Sequence, residues 1–251
     1  MRYRREITVN DFYYDLHLHS CLSPCGDNDM TPNNIAGMAA LKMLDIVALT
    51  DHNTAKNCPA FFKACKANGI IPIAGMELTT AEDIHLVCLF ETLDEAMAFD
   101  SFIQSKRILI KNRVDIFGEQ LILDGDDELI GTDEYLLSNA TLLPLEEAYL
   151  AATEHGAFVY PAHIDRQSNG IIATLGMLPD EPKFNVVEFH SGGSIEEYQK
   201  RFPNITEMKK IVSSDAHYLW DINERENFFT LEDEPYSSDL VRKRLFEYLR
   251  K

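Results

Sequence analysis

Short apolar runs bounded by turn residues recur along the chain, with helical patterns between most of them. Seven such runs read as strands: residues 12–19 (FYYDLHLH), 45–51 (DIVALTD), 70–78 (IIPIAGMEL), 84–90 (IHLVCLF), 157–163 (AFVYPAH), 185–191 (NVVEFHS) and 210–216 (KIVSSDA). Most are nearly continuous in apolar residues, the pattern of strands buried on both faces. The helical stretches carry start and stop signals. Thr31-Pro32 sets an N-cap and a proline at the first helical position, with Ile35, Met38 and Ala39 following at helical spacing. Residues 60–68 end at Gly69, a suitable C-cap, and Thr92 with Glu95 forms a capping box opening a helix to about Lys111. Residues 145–155 stop at Gly156, and 237–250 close the chain.

Strands alternating with helices predict an α/β fold, and the regular spacing predicts a barrel. Seven strands are too few for the usual eight-unit barrel, so a variant is expected. From about 116 to 141 the rhythm breaks at a hairpin pattern around Asp124–Asp127. An insertion over about 112–144, between the fourth and fifth strands, is expected within one domain spanning 1–251.

The chain has 251 residues, enough for a sizeable core, and its 23 basic against 41 acidic residues give a net charge of −18. Such a surface repels long nucleic acid and anionic membranes. No apolar run is long enough to span a bilayer, and the start (MRYRREITVNDFYYD) lacks the apolar stretch of a secretory signal, so a cytoplasmic location is expected. Arg2, Arg4 and Arg5 read as a solvated terminus. The five cysteines include no CxxC pair and read as free thiols.

Seven of the eight histidines lie on or beside strand candidates. His17 and His19 end the first strand, His52 follows the second and Glu77 ends the third. His85 begins the fourth, His163 ends the fifth, His190 the sixth, and Asp215 and His217 the seventh. A lone strand-end histidine is usually a hydrogen-bonded structural residue. The set is different, because the carboxyl ends of strands are where α/β folds build their sites. Residues i and i+2 of a strand project to one face, so His17/His19 and Asp215/His217 can each chelate. Imidazoles with a few carboxylates suit Zn²⁺, Mn²⁺ or Fe²⁺. The ligands outnumber the needs of one ion, so two or three are expected, with Glu77 bridging. Only seven residues separate Glu77 from His85, too few for a parallel crossover. The fourth strand should therefore run antiparallel to the third, bringing His85 beside Glu77.

These residues in this order resemble the PHP (polymerase and histidinol phosphatase) family of metal-dependent phosphoesterases. The matching stretches are DLHLHS with Ser23 and Thr31-Pro32 downstream, ALTDHN, GMEL, DIHLVCLF, YPAHIDR and SSDAH. The resemblance implies a distorted seven-stranded β/α (TIM-like) barrel with a trinuclear site. It implies metal ligands at His17, His19, His52, Glu77, His85, His163, Asp215 and His217. Many members carry Ser-Asp-Gly after the HxH motif, with the Asp a ligand, whereas here a short insertion intervenes. Counting back from Thr31-Pro32 places Asp27 at the ligand position, with Asp29 and Cys25 as substitutes. In the nucleotide phosphatase branch an Arg three residues after the fifth-strand His contacts phosphate, and Arg166 occupies that place. Asp51 is expected to orient an imidazole from behind. His190 is either a donor facing substrate or a packed strand-end residue, and His155 a partner of a helix C-terminus.

The function expected is hydrolysis of a small phosphate ester, favouring a 3′,5′-nucleoside bisphosphate or short oligonucleotide. Hydroxide formed from metal-bound water would attack, with His217 among the groups assisting. A histidinol-phosphate or sugar-phosphate monoesterase is the first rival. A non-catalytic metal-binding regulatory domain is the second.

Overall fold

A computed structural model describes residues 8–233 and 237–251, so the basic cluster at Arg2, Arg4 and Arg5 lies outside the described residues. In chain order the elements are β1 (Thr8–Asp15), α1 (Pro32–Leu41), β2 (Ile46–Leu49), α2 (Cys58–Asn68), β3 (Ile71–Thr79), β4 (His85–Phe90), α3 (Leu93–Gln104), α4 (Val114–Phe117), β5 (Leu121–Leu123), β6 (Leu129–Thr132), α5 (Leu145–Glu154), β7 (Phe158–Pro161), α6 (Ile171–Leu175), β8 (Val186–Phe189), α7 (Ile195–Arg201), β9 (Lys209–Val212), β10 (Phe228–Asp233) and α8 (Ser238–Arg250).

The main sheet has the order β10-β1-β2-β3-β4-β7, and β8 pairs with β9 in a separate parallel ladder. Loop hydrogen bonds draw the two together. Ile164 N donates to Glu188 O at 2.9 Å beside β7 and β8, and Asp215 N donates to His17 O at 2.9 Å beside β9 and β1. The result is an α/β fold with a curled sheet, the distorted barrel expected from the strand count. As the short connection requires, β4 runs antiparallel to β3, with Thr79 opposite His85.

Alternation along the strands divides the core. Ile46 and Ala48 of β2, Val87 and Leu89 of β4, and Val186 of β8 point into the barrel. Their neighbours Val47, Leu49, Leu86, Cys88 and Val187 face the outer helices. This two-residue period is why the runs look continuously apolar: both faces are buried. Helix α8 joins the inner cluster with Val241, Leu245, Phe246 and Leu249, spaced to form one helical stripe.

The caps form as expected. Thr31 accepts from Asn34 N, Thr92 and Glu95 make the capping box, and Gly69 ends α2 at φ 73°. Two elements differ. Helix α3 stops at Gln104 rather than near Lys111, because Arg107 leaves the helix path for a buried two-point pair with Asp133, at 2.8 and 2.9 Å. Strand β10 was not expected; it pairs antiparallel with the first six residues of β1, from Thr8 to Tyr13. The hairpin β5–β6 forms around the turn foreseen and is tied to the barrel's loops. Leu121 N donates to Cys21 O at 2.9 Å, and Asn57 bonds both Leu121 O and Leu123 N at 3.0 Å. No helix among the described residues is long and apolar enough to cross a membrane.

Candidate metal centre

The carboxyl ends of β1, β2, β3, β7 and β9 and the start of β4 meet at one end of the barrel. Glu77, 1% exposed, is the hub. Its Oε1 lies 2.7 Å from His85 Nδ1, 3.1 Å from His163 Nε2 and 3.3 Å from His17 Nε2. Its Oε2 lies 3.2 Å from His19 Nε2 and 3.0 Å from His52 Nδ1. Asp215 Oδ1 is 3.1 Å from His19 Nε2 and 3.4 Å from His17 Nε2. Among the described residues, three groups have ligand atoms within 4.8 Å of one another: His17, His19, Glu77 and Asp215; His52, Glu77 and His85; and His19, His52 and His217.

Partners behind the imidazoles decide which nitrogens face inward. His17 Nδ1 lies 2.8 Å from Glu188 Oε1, so a proton held there leaves the Nε2 lone pair for the cluster. Ser23 Oγ donates to Asp51 Oδ1 at 2.8 Å and lies 3.0 Å from His19 Nδ1. Asp51 thus acts on His19 through Ser23, and it also anchors Ser20 N at 2.7 Å. His217 Nδ1 donates to the Asp215 carbonyl at 2.8 Å. His163 at φ 27° and Asp215 at φ 52° sit in the left-handed region, a strain held by the surrounding packing.

The electrostatics of the cluster are uneven. Burial opposes a charged His17, but Glu188, Glu77 and Asp215 outweigh it and raise its pKa well above the imidazole range. Burial pushes His85 down to about 4, against the pull of Glu77. Glu77 is buried too, yet His85, His17 and His52 hold its carboxyl well below the usual range. The donor set suits divalent cations: five imidazole nitrogens crowd one buried carboxylate, and His163 Nδ1 is buried with no hydrogen-bond partner among the described residues.

Other expected site residues fall at the rim. Arg166 pairs with Asp215 Oδ2 through Nη1, while its Nη2 lies 3.3 Å from His190 Nδ1. Both line a cavity of about 700 Å³ with Cys25, Asp215, His217 and Tyr218. Asp27 is not brought into the cluster; its Oδ1 accepts from Asp29 N at 2.8 Å, closing a turn. Asp29 is exposed. Cys25 is exposed at the rim and lines the same cavity. Desolvation would raise its thiol, but the nearby His52 and His217 bring it down to about 5. His155 lies apart, its Nδ1 on Ala151 O at 2.7 Å at the end of α5.

Glu188 went unassigned in the sequence, although a signal was present. It is a carboxylate in the apolar run NVVEFHS, two residues from Val186 and on the same inward face. A charge in that register needs a buried partner, and His17 provides it.

Fold and centre together define an α/β barrel of the metal-dependent phosphoesterase kind. Residues 15–139 match the PHP domain, and the chain belongs to the PHP domain family. A 5′-3′ exoribonuclease of Haemophilus influenzae is 31% identical over 112 residues, 43% of this chain and 39% of that protein. The chain thus spans well under half the length of that curated relative. Among solved structures, the lesion-specific endonuclease Q of Pyrococcus furiosus superposes with a TM-score of 0.62 at 19% identity, over 93% of this chain and 55% of the other. A proposed metal-dependent phosphoesterase of Bifidobacterium adolescentis gives 0.58 at 16% identity, over 93% and 95%. These structural likenesses concern the fold.

Proposed function

We propose that this chain is a metal-dependent phosphoesterase acting on a small nucleotide substrate, a 3′,5′-nucleoside bisphosphate or a short oligonucleotide. The observation that carries the proposal is the convergence of six buried or half-buried histidines, Glu77 and Asp215 beneath a cavity whose wall presents Arg166. His17, His19, Glu77 and Asp215 would hold one ion, and Glu77 with His52, His85 and His163 another, of zinc, manganese or iron. Divalent ions bound there supply Lewis acidity, neutralise phosphoryl charge and make water more acidic.

The chain's own residues supply orientation and charge. Glu188 and the Asp51–Ser23 pair keep His17 and His19 turned inward. Arg166 is half-exposed, so its free N–H groups can bind a phosphoryl oxygen while Asp215 holds the guanidinium in place. His190 stands against it and offers a second donor to the phosphate or sugar. Residues 112–144 act in this reading as an insertion of one catalytic unit that braces the loops around the cavity.

An exoribonuclease among the relatives supports a nucleotide substrate. Endonuclease Q has been crystallised with a 27-mer duplex, so the fold is compatible with long DNA there. In this chain the net charge of −18 favours a short substrate. The test is phosphate release by the full chain, reconstituted separately with Mn²⁺, Fe²⁺ and Zn²⁺. The substrates are nucleoside bisphosphates, short oligonucleotides, histidinol phosphate and sugar phosphates. Turnover of the nucleotides, lost on His17→Ala with His19→Ala, is expected. Preference for histidinol or sugar phosphates would overturn the substrate. Silence with metals bound would overturn catalysis in favour of a regulatory metal-binding domain.

A further inference from the structure

The cavity over the centre has lining residues that hydrolysis itself does not use. Tyr218, 51% exposed, lines the same space of about 700 Å³ as Arg166, His190 and His217. Small-ligand sites usually measure about 300–1,000 Å³. A tyrosine ring left half-exposed on a cavity wall carries apolar area that a flat ligand can cover. Among the described residues no other ring and no cation stacks on it. Its turn is anchored on both sides. Tyr218 is extended, at φ −133° and ψ 148°, and its carbonyl accepts from Asp221 N at 3.0 Å. Lys42, at the end of α1, donates to Trp220 O at 3.0 Å and to Ile222 O. Asn223 N donates to Asp15 Oδ2, at the end of β1, at 3.0 Å. A backbone pinned in this way loses little entropy when a ligand settles on the ring. Charge sorts the rest of the lining. Arg166 Nη2 and His190 Nδ1 stand 3.3 Å apart, whereas Asp221, exposed and three residues beyond Tyr218, presents a carboxylate. A phosphoryl group is drawn to the guanidinium and repelled by Asp221, which leaves the uncharged part of a substrate to the Tyr218 side.

We propose that Tyr218 is a specificity residue, stacking on the nucleobase of the substrate whose phosphate Arg166 holds. The proposal rests on the nucleotide reading of the centre and adds the part of the nucleotide that is selected. Every base has a π-face, so the stack accepts purine and pyrimidine nucleotides alike. No bond of the base changes during hydrolysis. The contact therefore strengthens substrate and transition state equally, lowering KM and leaving kcat as it is.

Steady-state phosphate release by the full chain with Mn²⁺ tests this. The substrates are adenosine 3′,5′-bisphosphate and the same ribose bisphosphate lacking the base. The wild type should favour the nucleotide in kcat/KM. Tyr218→Ala should lower that preference by about 10–100-fold through KM, the usual effect of losing one base–aromatic stack. Tyr218→Phe should keep it. Trp220→Ala removes an aromatic exposed on the same turn but outside the cavity lining, and should leave the preference as in the wild type. An unchanged preference in Tyr218→Ala overturns the stack alone. So does an equal loss on both substrates, which would assign the residue to holding its loop. A wild type silent on the bisphosphate and on short oligonucleotides alike overturns the nucleotide reading itself, and this subsite with it.

Discussion

Glu188 offers the sharpest test of how the centre is held. Its Oε1 lies 2.8 Å from His17 Nδ1 and accepts from His163 N at 3.0 Å, both buried. Glu188→Gln is close to isosteric and keeps an oxygen for both His17 and the His163 amide. The change at that contact is the loss of charge, while its NH2 replaces Oε2, which is buried and unpartnered among the described residues. Charge-assisted hydrogen bonds are roughly twice as strong as neutral ones, so losing the charge weakens this contact by about 1–1.5 kcal/mol. Partners behind a metal-bound histidine are worth about 10–100-fold in metal affinity, or roughly 1.4–2.7 kcal/mol. The two routes overlap near a tenfold loss. Glu188→Ala should cost more, because it leaves two buried N–H groups unpaired at about 1–3 kcal/mol each. The assay is competition for Zn²⁺ or Mn²⁺ against a chromophoric chelator, at mildly alkaline pH where protons compete least for the imidazoles. Metal affinity unchanged in Glu188→Gln would refute the orienting role and leave the residue as packing.

Three further outcomes follow from the structure. Arg107→Ala breaks a buried two-point pair and should destabilise the fold by about 3–5 kcal/mol in urea unfolding. Burial alone would raise Asp133, but Arg107 and Lys56 bring it from 3.8 to about 2. The pair's contribution is therefore full above the unfolded value and lost as pH falls through the folded one, so the Arg107→Ala penalty should shrink on acidification; a constant penalty would contradict this. Arg166→Lys loses the planar fork beside Asp215 and should lower kcat/KM by roughly 10–100-fold with no change in melting temperature. Chelation should lower the melting temperature measurably, since metal a thousandfold above its Kd adds about 4 kcal/mol to the native state; identical melting of stripped and loaded protein would argue against bound ions.

Most of the barrel was legible because its signals are local. The seven apolar runs form strands since each buries both faces, and Thr31, Gly69 and Thr92 cap their helices with hydrogen bonds to nearby residues. The histidines could be read as one set because strand ends converge in any α/β barrel. The antiparallel β4 followed from chain length alone.

What escaped the sequence depends on partners distant along the chain. Helix α3 ends early because Arg107 finds Asp133, and β10 exists because β1 offers an open edge. Glu188 acquires its role only when β8 brings it to His17, 171 residues away. The same holds after the HxH motif. Counting residues favoured Asp27, yet a loop's backbone path decides which side chain points inward, and here that path turns Asp27 to the Asp29 amide. Spacing along a strand dictates direction because the backbone is regular. In an irregular loop it does not, and here contacts such as Asp27 N on His217 O and the close approach of Gly26 to Ser20 O hold the path.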